Sequence, residues 1–279
     1  MKFIHISDLH LYTEGYSCKD LLYPKRFAGW LNYTLRRKAK FIDSLDKLKK
    51  IEKFIDANGI DGVVLSGDIT CLGSGGEFDM SKEYITSLSK KAKYFAIIPG
   101  NHDYYINKKL YNQVFANLTQ SDDFINNDLC GVIEFPDNVS IVLLNSVKPN
   151  PNTLLSSGKV SDSQLTSLKE VLNELKLDSN KQVFVCSHYG LRKQDGTKDT
   201  KTHGIVNAQE FENVLEERDV YLLHGHIHHT YQYEIGSIKC YGAGGTTFLN
   251  REAFWFFECV DGKIDASIVK YVDGEYVQQ

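Results

Sequence analysis

Five apolar runs in this chain end in residues that can bind a metal ion or move a proton. Asp8-Leu9-His10 follows the first, Gly67-Asp68 the second and Gly100-Asn101-His102-Asp103 the third. His188 follows a later run, and Gly225-His226-Ile227-His228 another, with His224 and His229 beside it. Carboxylate, carboxamide and imidazole are oxygen and nitrogen donors. They suit Mn²⁺, Fe²⁺/Fe³⁺ or Zn²⁺ and require no cysteine. Imidazole also titrates near neutral pH, so a histidine in this set can carry protons.

Each fragment alone is weak. D-x-H recurs by chance, and G-D after a strand is usually a turn. A lone His188 reads first as a hydrogen-bonded residue near the core. GHIHH is stronger, because His226 and His228 project to one side of an extended backbone. The joint pattern carries the argument: five fragments, in order, each directly after an apolar run.

Those runs are FIHIS (3–7), GVVLS (62–66), YFAIIP (94–99), QVFVCS (182–187) and VYLLHG (220–225), with SIVLLNS (140–146) as a sixth. They are short and rich in Val, Ile, Phe and Tyr, which suits strands covered on both faces. Helical stripes fall between them. Phe41, Leu45, Leu48 and Ile55 make one; Leu165, Leu168, Leu172 and Leu175 make another, with Ser161 and Gln164 as a capping-box signature. Asn207 and Glu210 mark a shorter helix carrying Phe211, Val214 and Leu215. Strands alternating with helices argue for an α/β layered fold, and ligands in such folds gather at the carboxyl ends of strands. Residues 230–279 read as an antiparallel meander completing a second sheet. No linker, repeat or low-complexity tract interrupts the chain, so 1–279 reads as a single domain.

The ordered fragments resemble the signature of the calcineurin-like metallophosphoesterase superfamily: D-x-H, G-D, G-N-H-[DE], H and G-H-x-H across residues 8–228. GKVSDSQLTSL (158–168) also looks like a connector of its phosphodiesterase branch. The resemblance implies a four-layer α/β/β/α sandwich of two mixed β-sheets flanked by helices. It implies one ion held by Asp8, His10, Asp68 and His228. A second would be held by Asp68, Asn101, His188 and His226, with Asp68 bridging. Two transition ions about 3.5–4 Å apart can clamp an in-line displacement at phosphorus. A metal-bridging hydroxide would be the nucleophile. His102 would serve as general acid or electrostatic stabiliser, and Asp103 either orients it or satisfies the turn backbone. The implied reaction is metal-dependent hydrolysis of a phosphate ester, a phosphodiester first. The alternatives are cyclic-nucleotide phosphodiesterase, monoesterase, nucleotide-sugar or lipid pyrophosphatase, nuclease and non-catalytic scaffold. The lipid-precursor pyrophosphatases typically read G-N-R-D where this chain has G-N-H-D. The scaffolds have degraded ligand sets, whereas this set is complete.

The remaining features bound the setting. Among 279 residues the net charge is -4, which gives no global nucleic-acid signature. The six cysteines lack C-x-x-C spacing and read as free thiols of a reducing compartment. With no leader and no apolar run near the ~20 residues of a membrane span, the expectation is a cytoplasmic protein. Residues 11–40 interleave Tyr, Phe and Trp with Lys and Arg, and the stretch from Lys19 to Lys50 holds ten Lys/Arg against three Asp. Phe27, Leu31 and Leu35 with Trp30 suggest a short amphipathic helix. It reads as a pocket wall or lid for an anionic substrate, as a surface helix with snorkelling cations, or as a peripheral membrane contact through 19–40. His203 reads equally as a pocket residue or the start of a helix. Cys186 reads as a small buried hydrophobe, and His224 and His229 as supporting or surface residues.

Overall fold

Strands that are apolar on both faces must be covered on both faces, and the chain meets that need with two stacked sheets between helices. The computed structural model describes residues 1–119, 121–150, 152–216 and 219–279. The first sheet contains β1 (Lys2–Ile6), β2 (Gly62–Leu65), β3 (Tyr94–Ile97), β10 (Ala253–Val260), β11 (Lys263–Val272) and β12 (Glu275–Gln278), in the order β12-β11-β10-β1-β2-β3. The second contains β4 (Gly131–Phe135), β5 (Val139–Leu143), β6 (Gln182–Cys186), β7 (Val220–His224), β8 (Thr230–Ile235) and β9 (Ile238–Ala243), in the order β4-β5-β6-β7-β9-β8. Both are mixed. β1, β2 and β3 run parallel, as do β5, β6, β7 and β9. The four-layer α/β arrangement is the one implied by the sequence.

The two sheets meet across an aromatic layer. Phe3 packs edge-on against Phe184 at 5.1 Å between centroids and stacks on Phe257 at 4.8 Å. Pairs of this kind add about 0.5–1.5 kcal/mol each beyond area burial. Side-chain alternation sends Ile4, Ile6, Val63 and Leu65 into the cluster formed with the helices. That cluster includes Leu48, Ile51 and Ile55 of the helix Ser44–Asn58, and Leu168 and Leu172 of the helix Asp162–Leu175. Ser161 accepts from the Gln164 N–H as expected of an N-cap. The Gln164 carboxamide instead bonds Asn145 N and Asp128, tying the helix to neighbouring loops.

The carboxyl-terminal segment corrects the expectation for 230–279. Only β8 and β9 join the second sheet; β10, β11 and β12 return to the first, where β10 lies antiparallel to β1. The reason lies in burial. β8 alternates and takes an edge, whereas AFWFFECV is apolar almost throughout and needs a central position with both faces covered. β4 was not anticipated from the sequence; it is an edge strand with alternating exposure.

The helix expected around Phe27 spans Pro24–Asn32 and continues into a π-helical turn, Tyr33–Arg37, and a 3₁₀ turn, Lys38–Phe41. Its faces are inverted relative to a snorkelling surface helix. Lys25 and Arg26 are buried, while Phe27, Leu31 and Leu35 are exposed. Lys25 Nζ donates to the carbonyls of Asn150 and Leu155, and Arg26 donates to those of Leu72 and Gly73. The cations dock this segment on loop carbonyls, and the apolar side chains are left facing out.

Candidate metal centre

β1, β2, β3, β6 and β7 all deliver their polar fragments at the same carboxyl-terminal edge. The loops that follow interlock. Asp8 N–H donates to Gly67 O at 3.0 Å and His10 N–H to Asp68 O at 2.9 Å, while His226 N–H donates to Asp8 Oδ2 at 3.0 Å. The motif glycines permit this closeness. A Cβ on Gly100 would lie 2.1 Å from Asp68 N, and one on Gly225 would lie 1.9 Å from Ser7 Oγ. Asp8, His10, Asp68, His226 and His228 all adopt positive φ, between 44° and 70°. That backbone region is costly outside glycine, less so for Asp and His, and such strain gathers at functional sites.

The side chains form two donor groups. In one, donor atoms of Asp8, His10, Asp68 and His228 all lie within 4.8 Å of one another, and the Nε2 atoms of His10 and His228 are 3.0 Å apart. In the other, Asn101 Oδ1 is 3.0 Å from His188 Nε2 and 2.9 Å from His226 Nδ1. Asp68 stands between them: its Oδ2 is 3.7 Å from His10 Nε2 and 3.5 Å from His188 Nε2. The His188 Nδ1–H donates to the Ser66 carbonyl at 2.8 Å, which points Nε2 into the cluster.

This donor set fits cations. Asp8 Oδ1 is buried with no hydrogen-bond partner among the described residues, although His228 Nε2 lies 3.2 Å away. Burial pushes His10 and His226 well below the usual imidazole range, so both rings are neutral and can offer lone pairs. Burial alone would raise Asp68, but the charge and hydrogen bond of the His188 imidazole lead the opposing effects and hold the carboxyl far below its usual range. Burial opposes protonation of His188, yet the Asp68 carboxylate prevails and holds the ring up to about 9. A bound cation would displace that proton.

The donors open into a cleft of about 720 Å³ whose lining includes His102, Tyr105, Arg37, Lys193, Asp199 and His203. The His102 Nδ1–H donates to the Cys71 carbonyl, which leaves Nε2 free. Its ring lies 4.7 Å from that of His10 and stacks on Tyr105 at 5.3 Å. Burial pushes its pKa down to about 4. Across the donors, His203 lies 4.2 Å from His226 and is held by Asp199 at 2.5 Å. An imidazole therefore stands against each donor group. Asp199 and Lys193 were not singled out in the sequence, though the Asp199/His203 spacing of four residues was a usable signal.

Of the two readings of Asp103, its hydrogen bonds fit the one in which it satisfies the turn backbone. Its carboxylate accepts from Ile69 N, Thr70 N, Thr70 Oγ1 and Gly100 N at 2.9–3.2 Å, and no bond joins it to the His102 ring. It binds the G-D loop to the G-N-H loop. Cys186 and His224 are fully buried; Cys186 packs in the aromatic layer between the sheets, and His224 lies against Tyr231 and Tyr233. Of the cations in the basic segment, Lys25 and Arg37 line the cleft, Arg26 is committed to carbonyls, and Arg36 is exposed in a separate groove.

Residues 1–230 match the model of the calcineurin-like phosphoesterases. The chain belongs to that family. Its enzymes use binuclear transition-metal centres, and this protein is a metal-dependent phosphoric ester hydrolase. Its fold is similar to that of a dimetal phosphatase from Danio rerio, with a TM-score of 0.68 and 15% identity over 99% of this chain and 98% of that one. A purple acid phosphatase from yellow lupin seeds aligns with a TM-score of 0.60 and 13% identity, over 99% of this chain and 52% of that one. At such identities the likeness is one of fold. The search of curated proteins returned no match. Among the described residues, no helix is long and apolar enough to cross a membrane.

Proposed function

We propose that this protein hydrolyses a phosphodiester in the cleft above the two donor groups. One ion would be held by Asp8, His10, Asp68 and His228, and the other by Asp68, Asn101, His188 and His226. The observation that carries this assignment is the position of Asp68, with one carboxylate oxygen within 3.7 Å of an imidazole from each group. Bound ions would supply Lewis acidity toward the phosphoryl oxygens and activate water at neutral pH.

The chain's own residues do the rest. The His102 ring is fixed through Nδ1, and once an anionic phosphoryl group in the cleft offsets the burial that holds the ring neutral, it can carry a proton on Nε2 to the departing ester oxygen. Tyr105 covers one face of that ring and excludes water there. Arg37 and Lys193 supply positive charge on the cleft walls. Lining residues on both sides of the donors leave space for two substituents on phosphorus, which favours a diester over a monoester. The six cysteines are all free thiols, and we place the protein in the reducing cytoplasm.

A substrate panel on metal-defined protein tests this reading. It should include bis-p-nitrophenyl phosphate, p-nitrophenyl phosphate, cyclic nucleotides and nucleotide sugars. Diesters should turn over faster than p-nitrophenyl phosphate. Monoester turnover with none on any diester would overturn the diester assignment.

A further inference from the structure

The helix Pro24–Asn32 docks by its cations and turns its apolar side chains to solvent, and neither the cleft nor the core accounts for that. Six of the thirteen exposed large apolar side chains among the described residues fall within 22–42: Leu22, Tyr23, Phe27, Leu31, Leu35 and Ile42. Leu22 is 77% exposed and Leu35 71%. Tyr23, Phe27, Leu31 and Leu35 recur every four residues, which keeps them near one face of the helix and the turn that continues it. Phe27 meets Trp30 at 5.9 Å, and Leu35 and Ile42 line one shallow groove with Arg36 and Lys38.

Charge selects the occupant. Lys19, Arg36 and Lys40 are exposed in the same segment, and no ion pair among the described residues engages them. Lys38 is paired with Glu14 at 2.6 Å. Between 19 and 42 the sequence holds seven Lys/Arg and one Asp, and that Asp20 is paired with Arg26. Exposed Leu, Phe and Tyr beside Lys and Arg without ion-pair partners match a bilayer interface with anionic headgroups. We infer that residues 19–42 form an interfacial docking surface for an anionic phospholipid bilayer. Asn32 and Arg37 line the cleft from the same segment, so a docked membrane lies beside its mouth. The inference does not depend on the phosphodiester assignment.

The test is co-sedimentation of the full chain with phosphatidylcholine vesicles, with and without phosphatidylserine. Wild-type protein should bind the phosphatidylserine vesicles, and added salt should weaken binding. Phe27→Ser with Leu31→Ser should lower the partition coefficient at least about tenfold. Arg36→Gln with Lys40→Gln should lower it about fivefold per cation lost and remove the preference for phosphatidylserine. Neither pair lines the cleft, so turnover of bis-p-nitrophenyl phosphate and the melting temperature should hold in both and show that the variants are folded. If wild-type protein ignores phosphatidylserine vesicles, or both pairs bind as it does, the inference fails. It also fails if light scattering shows that the apolar pair merely abolishes self-association while vesicle binding is unchanged. That result would assign the patch to a second copy of the chain.

Discussion

The backbone N–H of His102 donates to Asp68 Oδ1 at 2.7 Å, while Asp68 Oδ2 faces the imidazoles of His10 and His188. One carboxylate therefore ties the proposed proton donor's loop to both donor groups. Asp68→Asn should disturb both ions, taking metal content from about two per chain to less than one. Asp8→Ala should leave the second group occupied. Affinity losses at Asp68 should exceed the ~10–100-fold typical of residues behind the ligands. Elemental analysis and turnover after chelation and Mn²⁺ readdition are the measurements. An Asp68→Asn protein with both metals and full rate would refute the bridging assignment.

His102 presents a different expectation, because it touches no ion in this scheme. His102→Ala should retain both metals and lower kcat by roughly 10²–10⁴-fold, the usual worth of general acid catalysis. The loss should be larger for an alkoxide leaving group than for nitrophenolate, which scarcely needs a proton. Equal losses on both would discard the acid role and leave electrostatic stabilisation.

The donor fragments could be read from sequence because each is an abrupt polar stop after a buried apolar run. Asp8, Asp68, Asn101, His188 and His226 stand at strand ends, where an α/β sheet gathers its ligands. The burial of Lys25 and Arg26 could not be read in the same way. Their partners are carbonyls at 72, 73, 150 and 155, and a main-chain oxygen leaves no mark in residue types. Asp103 shows the same limit: its donors are chiefly backbone N–H groups. The split of residues 230–279 turns on AFWFFECV, whose continuous apolarity, unlike the alternation of TYQYEI, marks a central strand.

Glu77 gives a pH test of the loop behind the site. Its buried carboxylate accepts from Leu72 N at 2.9 Å and Ser74 N at 3.1 Å, and from the Tyr16 hydroxyl. Those bonds favour the charged form, yet burial outweighs them and raises the pKa from its ordinary 4.5 to about 7. The folded chain thus holds this proton more tightly than the unfolded one. Its contribution is complete below pH 4.5 and is lost as pH rises through about 7. The melting temperature of Glu77→Gln relative to wild type should therefore rise by a few degrees across that window, since about 1 kcal/mol moves Tm by roughly 2–4 °C in a chain of this size. A difference that stays flat with pH would show that Glu77 is not protonated in the fold.

Arg37 and Arg26 belong to one basic segment, and the structure assigns them opposite work. Arg37 lines the cleft, with its guanidinium 5.4 Å from the centre of the Phe41 ring. Arg26 is buried, bonded to Leu72 O at 3.1 Å and to Gly73 O. Removing a charged donor that reaches substrate forfeits about 1.5–3 kcal/mol, or roughly 10–100-fold in KM. Arg37→Gln should show that loss on a substrate carrying a second phosphate and little on bis-p-nitrophenyl phosphate, with the melting temperature held. Arg26→Gln leaves buried carbonyls without donors, at about 1–3 kcal/mol. It should lower the melting temperature by roughly 2–4 °C per kcal/mol while the folded fraction keeps its KM. Steady-state kinetics and thermal melts on both variants separate the two roles. If Arg37→Gln loses stability without a change in KM, that cation belongs to the scaffold, and the charge on the cleft wall must come from Lys193 or Lys25.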